Sequence, residues 1–436
     1  MKRATLLSLG LAFGLAASGA PAEPVGFKVE MNHADAMYRL GEKAVLTVTA
    51  TNGVGKVTSG TVKATTDNYG YKPFGTRAVD LAKENPFTVE MTMDEPGFAR
   101  LQLTGLGRRR PFVWSVGYEP EKIVAGGEAP ADFDEFWRKS VAKLAAEVPL
   151  DPRMTRDAGR STKDFDYYRI SFATFENARV YGFLTVPTSK AKDRWPVSVE
   201  VCSAGEGRWT IEARGLPDRI HMYFTVHDFD PPERLEDVAP RHAALRKELK
   251  AKWGIEHYAA AGLAAGPEKY YFYKVLLGIN RAVDWLWEQP YADRARFGYE
   301  GGSQGGGFGW MLCGLSRRFT SAVLRVPGMS DARGSLVGRC GAWPSSVDNA
   351  RWNGQDRDAV VRSIAYFDGA SFAPRITIPI RVTVGLADNT CPPNAVHATF
   401  NRLGSKDKQI LDAIGKGHGG QTREKDEIAR KWQYGL

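Results

Sequence analysis

The sequence predicts an α/β fold, a mostly parallel sheet with helices on both faces, preceded by a small all-β sandwich of the immunoglobulin-like kind. Three observations carry this. From Asp132 onward, short apolar runs alternate with helix-capable runs, the pattern of a parallel sheet. Residues 23–118 show only strand-like alternation broken by turn signals. Between them in weight stands Gly301-Gly302-Ser303-Gln304-Gly305, with a strand-like run (Phe297 to Glu300) before it and an apolar helix-capable run (Phe308 to Leu315) after it. Strand, tight turn and helix are the setting in which a G-x-S-x-G serine stands clear at a sheet edge.

Length and composition bound the rest. A chain of 436 residues predicts two or three domains with ample core. The net charge of +9 is spread along the chain, with clusters no longer than Arg108-Arg109-Arg110, and no nucleic-acid motif accompanies it. The first 22 residues read as a secretory signal: Lys2 and Arg3, an apolar stretch from Leu6 to Ala17, and Ala20-Pro21-Ala22 as a small-x-small cleavage site. The expected mature chain starts at Glu23 and is periplasmic or secreted, with no membrane insertion once the signal is removed. The four cysteines, Cys202, Cys313, Cys340 and Cys391, lack metal-type spacing and are expected to be buried free thiols.

In the front region, Ala44, Leu46, Val48 and Ala50 alternate with polar or small partners. Phe87, Val89, Met91 and Met93 do the same, and Leu101 and Leu103 follow; Asn52-Gly53 and Glu95-Pro96-Gly97 are turn signals. No catalytic set is visible there, so the region reads as a packing or positioning module. Residues 119–130 are rich in Gly, Pro and charge and read as a linker to a second domain, 131–436.

That domain opens on a helix over 132–147, with Phe133, Phe136, Trp137, Val141 and Leu144 on one stripe. Strands follow at 167–172, 180–186 and 197–201, the last emptying into Cys202-Ser203-Ala204. Residues 206–268 are mixed and polar and read as an insertion or lid, with a possible strand in 221–229 and a charged helix over 241–252. A strong helix spans 270–288, then the serine motif, then strands at 322–326, 380–384 and 409–414.

A serine hydroxyl is a poor nucleophile at neutral pH and needs a base, which in turn needs an orienting acid. In a parallel sheet the loops at the carboxyl ends of the strands share one edge. Ser303, Asp388 and His418 each follow an apolar strand, and their order is that of the α/β-hydrolases. Only His397 and His418 follow Asp388. His397 falls inside a helix, facing solvent or the sheet, whereas His418 lies in the Gly-rich loop 415–420. Asp388 also reads as a cap for the following helix, and both roles are compatible. Asp331 and Asp368 are less well placed. Backbone N–H groups of Gln304 and Ala204 are the expected oxyanion donors. Trp209 and Trp343 lie in loops that could border a pocket and stack on a sugar ring; plain packing is the competing reading of each.

The stretches DFDEFW (132–137), VYGFLTVP (180–187), GGSQGG (301–306), VGLADNTCPP (384–393) and GHGG (417–420) resemble the acetylxylan esterase/cephalosporin C deacetylase family, carbohydrate esterase family seven. The resemblance implies an α/β-hydrolase fold, no metal and no other cofactor, acetylated polysaccharides or oligosaccharides as substrate, and the triad on Ser303, Asp388 and His418. It also implies a homo-oligomer, since the family assembles as a hexameric ring. Two departures stand out: Gly419 follows the histidine where the family has Glu, and Cys202-Ser203-Ala204 replaces a His-Gly-Tyr oxyanion loop. The all-β front region is not part of the family's usual chain. A prolyl-oligopeptidase-type peptidase shares the nucleophile turn, but about 100 residues of β structure cannot make its propeller. A non-catalytic glycan-binding protein on the same fold is the reading from another class.

Overall fold

The computed structural model describes residues 25–419 and 431–433. The expected signal peptide over 1–22 and Gly420 of the GHGG stretch lie outside the described residues. Nine strands fill the front region: β1 (Gly26–Met31), β2 (Met37–Tyr38), β3 (Ala44–Asn52), β4 (Gly55–Lys56), β5 (Thr61–Asp67), β6 (Pro73–Asp80), β7 (Phe87–Met91), β8 (Gly97–Gly105) and β9 (Phe112–Tyr118). They form two sheets, one with β1-β3-β4 in order and β7 also on β3, the other β2-β9-β8-β5-β6. The period-2 pattern does the folding here: Ala44, Leu46, Val48 and Ala50 point inward and are fully buried. The Asn52-Gly53 signal becomes the hairpin in which Asn52 faces Gly55.

The segment after β9 is packed rather than free. Gly126 N–H donates to Asp331 Oδ1 at 2.6 Å, Arg333 donates to the Glu128 carbonyl at 2.7 Å, and Asn401 donates to the carbonyls of Pro120 and Ile123. This use of Asp331 explains why an acid lies buried there.

The remaining elements are α1 (Phe133–Glu147), β10 (Arg153–Arg156), β11 (Phe165–Ala173), β12 (Arg179–Pro187), β13 (Trp195–Val201), β14 (Ile220–Phe224), α2 (Val238–Trp253), α3 (Tyr271–Trp287), β15 (Ala292–Gly302), α4 (Gln304–Leu315), β16 (Ser321–Arg325), α5 (Ser346–Asn349), α6 (Arg357–Ile364), α7 (Gly369–Phe372), β17 (Ile380–Gly385), α8 (Pro393–Asn401) and β18 (Lys408–Ala413). One nine-stranded sheet runs β10-β11-β12-β14-β13-β15-β16-β17-β18. It is antiparallel from β10 to β14 and parallel from β14 onward. The 206–268 stretch therefore is not wholly a lid: its strand β14 is wedged inside the sheet, between β12 and β13. All five of its residues are buried, because a central strand has both faces covered.

α3 buries Leu276, Ile279, Val283 and Leu286 completely. Each such side chain contributes about 1.5–3 kcal/mol relative to exposure. The helix packs on α4 and on β11, β12 and β15, which fixes the position of the helix that follows the serine. Among the described residues no helix is long and apolar enough to cross a membrane. All four cysteines are free; Cys202, Cys313 and Cys391 are buried and Cys340 is partly so.

Candidate active site

Parallel pairing of β13, β15, β16, β17 and β18 sends their carboxyl ends to one edge of the sheet. Ser303 lies between β15 and α4 with φ 53° and ψ −119°, a conformation that a β-substituted residue adopts only under strain. The turn is held from several sides. Ser303 N–H donates to the Arg325 carbonyl at 2.9 Å, and the Ser303 carbonyl accepts from Gly307 at 3.0 Å and Gly328 at 2.8 Å. Glycines are required for close approach: a Cβ on Gly301 would lie 2.6 Å from the Gly305 carbonyl oxygen, and one on Gly305 would lie 2.1 Å from that of Val201.

The structure brings Ser303, Asp388 and His418 together. His418 Nε2 is 2.8 Å from Ser303 Oγ, and His418 Nδ1 is 2.8 Å from Asp388 Oδ2. Asp388 is fully buried, while the imidazole is about one-third exposed, open to a substrate. The second carboxylate oxygen, Oδ1, accepts the N–H groups of Thr390 at 2.7 Å and Cys391 at 3.0 Å. The capping role foreseen for Asp388 thus falls on the 388–391 turn, because α8 begins later, at Pro393. Asp388, Cys391 and His418 place ligand atoms within 4.8 Å of one another. Both carboxylate oxygens and both ring nitrogens of that set are already in hydrogen bonds, with Thr390, Cys391, Ser303 and each other.

His397 is buried, with Nε2 2.9 Å from Asp412 Oδ1 on β18 and its ring 5.1 Å from that of Phe98. Its place is the seam with the front region. Asp331 pairs with Arg339 at 3.4 Å and Asp368 with Arg333 at 3.1 Å, so both acids serve buried ion pairs.

Gln304 is the first residue of α4, so its N–H is one of the helix's four without an intrahelical acceptor. Its side chain bridges to the opposite wall, donating from Nε2 to the Cys202 carbonyl at 3.1 Å. With Gly305 pressed on Val201, this brings the turn that carries Ala204 beside the start of α4. Trp343 also comes to the site: a Cβ built on Gly328 would lie 3.3 Å from both the Ser303 carbonyl oxygen and Trp343 Cε3. Trp209 stays at the outer end of the 202–210 turn, 42% exposed, its ring over Gly207 and its carbonyl accepting from Tyr223.

Two further groups stand here that sequence reasoning did not single out. The Tyr258 hydroxyl donates to Gln304 Oε1 at 2.9 Å and accepts from Gly205 N–H at 3.4 Å. Burial pushes this phenol well above its usual range, so it stays a neutral donor. His257 stacks on Tyr258 and its ring lies 6.3 Å from that of Trp343, with burial lowering its pKa. The adjacent aromatic pair His257-Tyr258, just ahead of the strong helix, was the available signal.

A strained serine at a strand–helix turn, relayed through an imidazole to a buried carboxylate on an α/β sheet, defines the serine-hydrolase class. The family model described as acetyl xylan esterase (AXE1) matches residues 121–434, and the chain belongs to that family. It is a carboxylic-ester hydrolase of the carbohydrate acetyl esterase kind. The chain is 28% identical over 395 residues to the acetyl esterase Axe7A of Xylanibacter ruminicola (strain ATCC 19189 / DSM 19721 / CIP 105475 / JCM 8958 / 23), covering 88% of this chain and 84% of that one. That share exceeds the family match, so the similarity extends into the front strands. Among solved structures, the acetyl xylan esterase of Paenibacillus sp. R4 superposes with a TM-score of 0.60 at 22% identity, over 73% of this chain and 98% of that one. Acetyl xylan esterase 1 of Thermoanaerobacterium sp. JW/SL YS485 gives 0.58 at 19%, over 73% and 97%. Both support the α/β-hydrolase fold of the larger part.

Proposed function

We propose that this protein removes O-acetyl groups from xylan-type polysaccharides or oligosaccharides through an acetyl-enzyme intermediate on Ser303. The observation that carries the reading is the pair of 2.8 Å contacts linking Ser303, His418 and Asp388. Ser303 Oγ attacks the acetyl carbonyl carbon while its proton passes to His418 Nε2, and Asp388 Oδ2 holds the Nδ1–H. The oxyanion rests on the N–H groups of Gln304 and Ala204. As the ester C–O bond breaks, His418 returns the proton to the departing sugar oxygen. Water, deprotonated by His418, then attacks the acetyl carbonyl; acetate leaves and Ser303 recovers its proton. In this reading Trp343 stacks on the sugar that bears the acetyl group, and Trp209 on a more distant one.

The same reading takes residues 1–22 as a signal peptide and the mature enzyme as periplasmic or secreted. Residues 23–118 are then an immunoglobulin-like domain, in keeping with two short-stranded, almost wholly antiparallel sheets, and 119–130 a linker to the esterase domain at 131–436. Acetate release from acetylated xylan, acetylated pectin and small acetylated sugars, with Ser303→Ala as control, tests the proposal. Release from xylan that falls about a thousandfold in the variant supports it; release that survives the substitution rejects it.

A further inference from the structure

We infer that the front β-region acts as a positioning device for the acid and histidine loops of the active site, through Tyr69, Ser115 and Arg100. The inference rests on the Ser303–His418–Asp388 reading and extends it to residues outside the esterase domain. The hydroxyls of Tyr69 and Ser115 both donate to the Leu386 carbonyl, two residues before Asp388. Arg100 donates to Asn389 Oδ1 at 2.8 Å, one residue after Asp388. The acid is therefore braced on both sides of its own position by Ser115 on β9, Arg100 on β8 and Tyr69 in the turn after β5, three strands that are neighbours in one sheet.

The brace is itself rigid. Arg100 makes a two-pronged pair with Asp67, 2.8 Å on each arm, and its guanidinium lies 4.8 Å from the centre of the Tyr69 ring. Tyr69 and Ser115 are buried and 3.2 Å apart at their hydroxyls. Such a fork holds geometry better than a single flexible contact. The opposite side of the acid loop is tied to the histidine loop: Leu386 N–H donates to the Ala413 carbonyl at 3.1 Å and Ala387 N–H to that of Lys416 at 2.8 Å. The Trp114 indole of β9 closes the arrangement, 2.4 Å from where a Cβ on residue 415 would be. The front region thus holds the loop of Asp388 directly, and the loop of His418 both through that loop and through Trp114.

Two hydroxyls and a guanidinium converge on the one short loop 386–389. Their common effect is to set the Asp388–His418 contact, and with it the tautomer and basicity of the imidazole.

The test is a Tyr69→Phe/Ser115→Ala double variant of the full chain, with folded fraction followed by near-ultraviolet circular dichroism. Steady-state kinetics on 4-nitrophenyl acetate is measured from pH 5 to 9. A loosened carboxylate stabilises the imidazolium less. The acid limb of kcat/KM is therefore expected to move to lower pH by roughly half a unit. The expected kcat is about tenfold lower, beyond any loss of folded protein, with KM within about twofold. An acid limb at the wild-type position overturns the inference whatever the amplitude, since a merely structural role lowers amplitude alone. If the double variant does not fold, Asn389→Ala cuts the Arg100 contact at an exposed residue and carries the same readouts. Ser303→Ala runs alongside: activity that survives it sinks the triad itself, whereas an inactive Ser303→Ala with an unmoved limb in the braced-loop variants sinks only the brace.

Discussion

The Tyr258 hydroxyl donates to Gln304 Oε1 at 2.9 Å, while Gln304 Nε2 donates to the Cys202 carbonyl at 3.1 Å. The Gln304 side chain therefore links Tyr258 to the turn that follows β13, and Tyr258 fixes which way its amide points. Tyr258→Phe keeps the ring but leaves a buried acceptor unsatisfied, at a cost of about 1–3 kcal/mol. Urea unfolding is expected to show that loss, and kcat on 4-nitrophenyl acetate to fall about tenfold with KM little changed. A variant with wild-type kcat would show that the Gln304 amide is oriented without Tyr258.

Gly305→Ala tests the close approach of α4 to β13. The new Cβ would lie 2.1 Å from the Val201 carbonyl oxygen, a backbone atom that cannot swing aside. Overpacking of this kind costs about 3 kcal/mol. A melting temperature lowered by a few degrees is expected, the shift being about 2–4 °C per kcal/mol for 150–250 residues and smaller for a longer chain. An unchanged melting temperature would mean that the turn has room for a methyl group.

His227 supplies a pH test of stability. Burial, and then the neighbouring His242 at a ring distance of 4.2 Å, lowers its pKa from the usual 6.5 to about 3. The native state therefore binds fewer protons than the unfolded chain between those values. This contribution is fully present above pH 6.5 and is lost progressively as the pH falls toward 3. The slope it adds is at most about 1.4 kcal/mol per pH unit. Chemical denaturation at pH 5, 6 and 7 is expected to give a shallower decline for His227→Phe than for the wild type; parallel declines would contradict the assignment.

Trp343 lies against the serine turn, its Cε3 3.3 Å from where a Cβ on Gly328 would be. Trp343→Ala is expected to lower kcat/KM on acetylated xylan about tenfold and on 4-nitrophenyl acetate less than about twofold. Equal losses on the two substrates would assign the ring to packing.

The sequence carried much of this site because Ser303, Asp388 and His418 each follow an apolar strand, and a parallel sheet gathers strand ends without further instruction. Ser303, Asp388 and His418 could be named from local patterns, although 115 residues separate the first from the last. Other features left no such trace. β10 reads Arg-Met-Thr-Arg and is exposed throughout, so no apolar alternation announced it. β14 was visible as an apolar run, but its insertion between β12 and β13 depends on long-range pairing. The brace from Tyr69 to Leu386 spans 317 residues and uses a backbone carbonyl, which carries no side-chain signature at all. Tyr258 was hidden in a polar stretch whose aromatic residues only acquire meaning once α4 is packed beside them.

The central claim is that Ser303 becomes acylated because His418 takes its proton. Peptide mapping by mass spectrometry after treatment with a fluorophosphonate probe tests it directly. One adduct per chain on the peptide containing Ser303, abolished in His418→Ala, is the predicted result. An adduct on another residue, or none in an enzyme still releasing acetate, would contradict it.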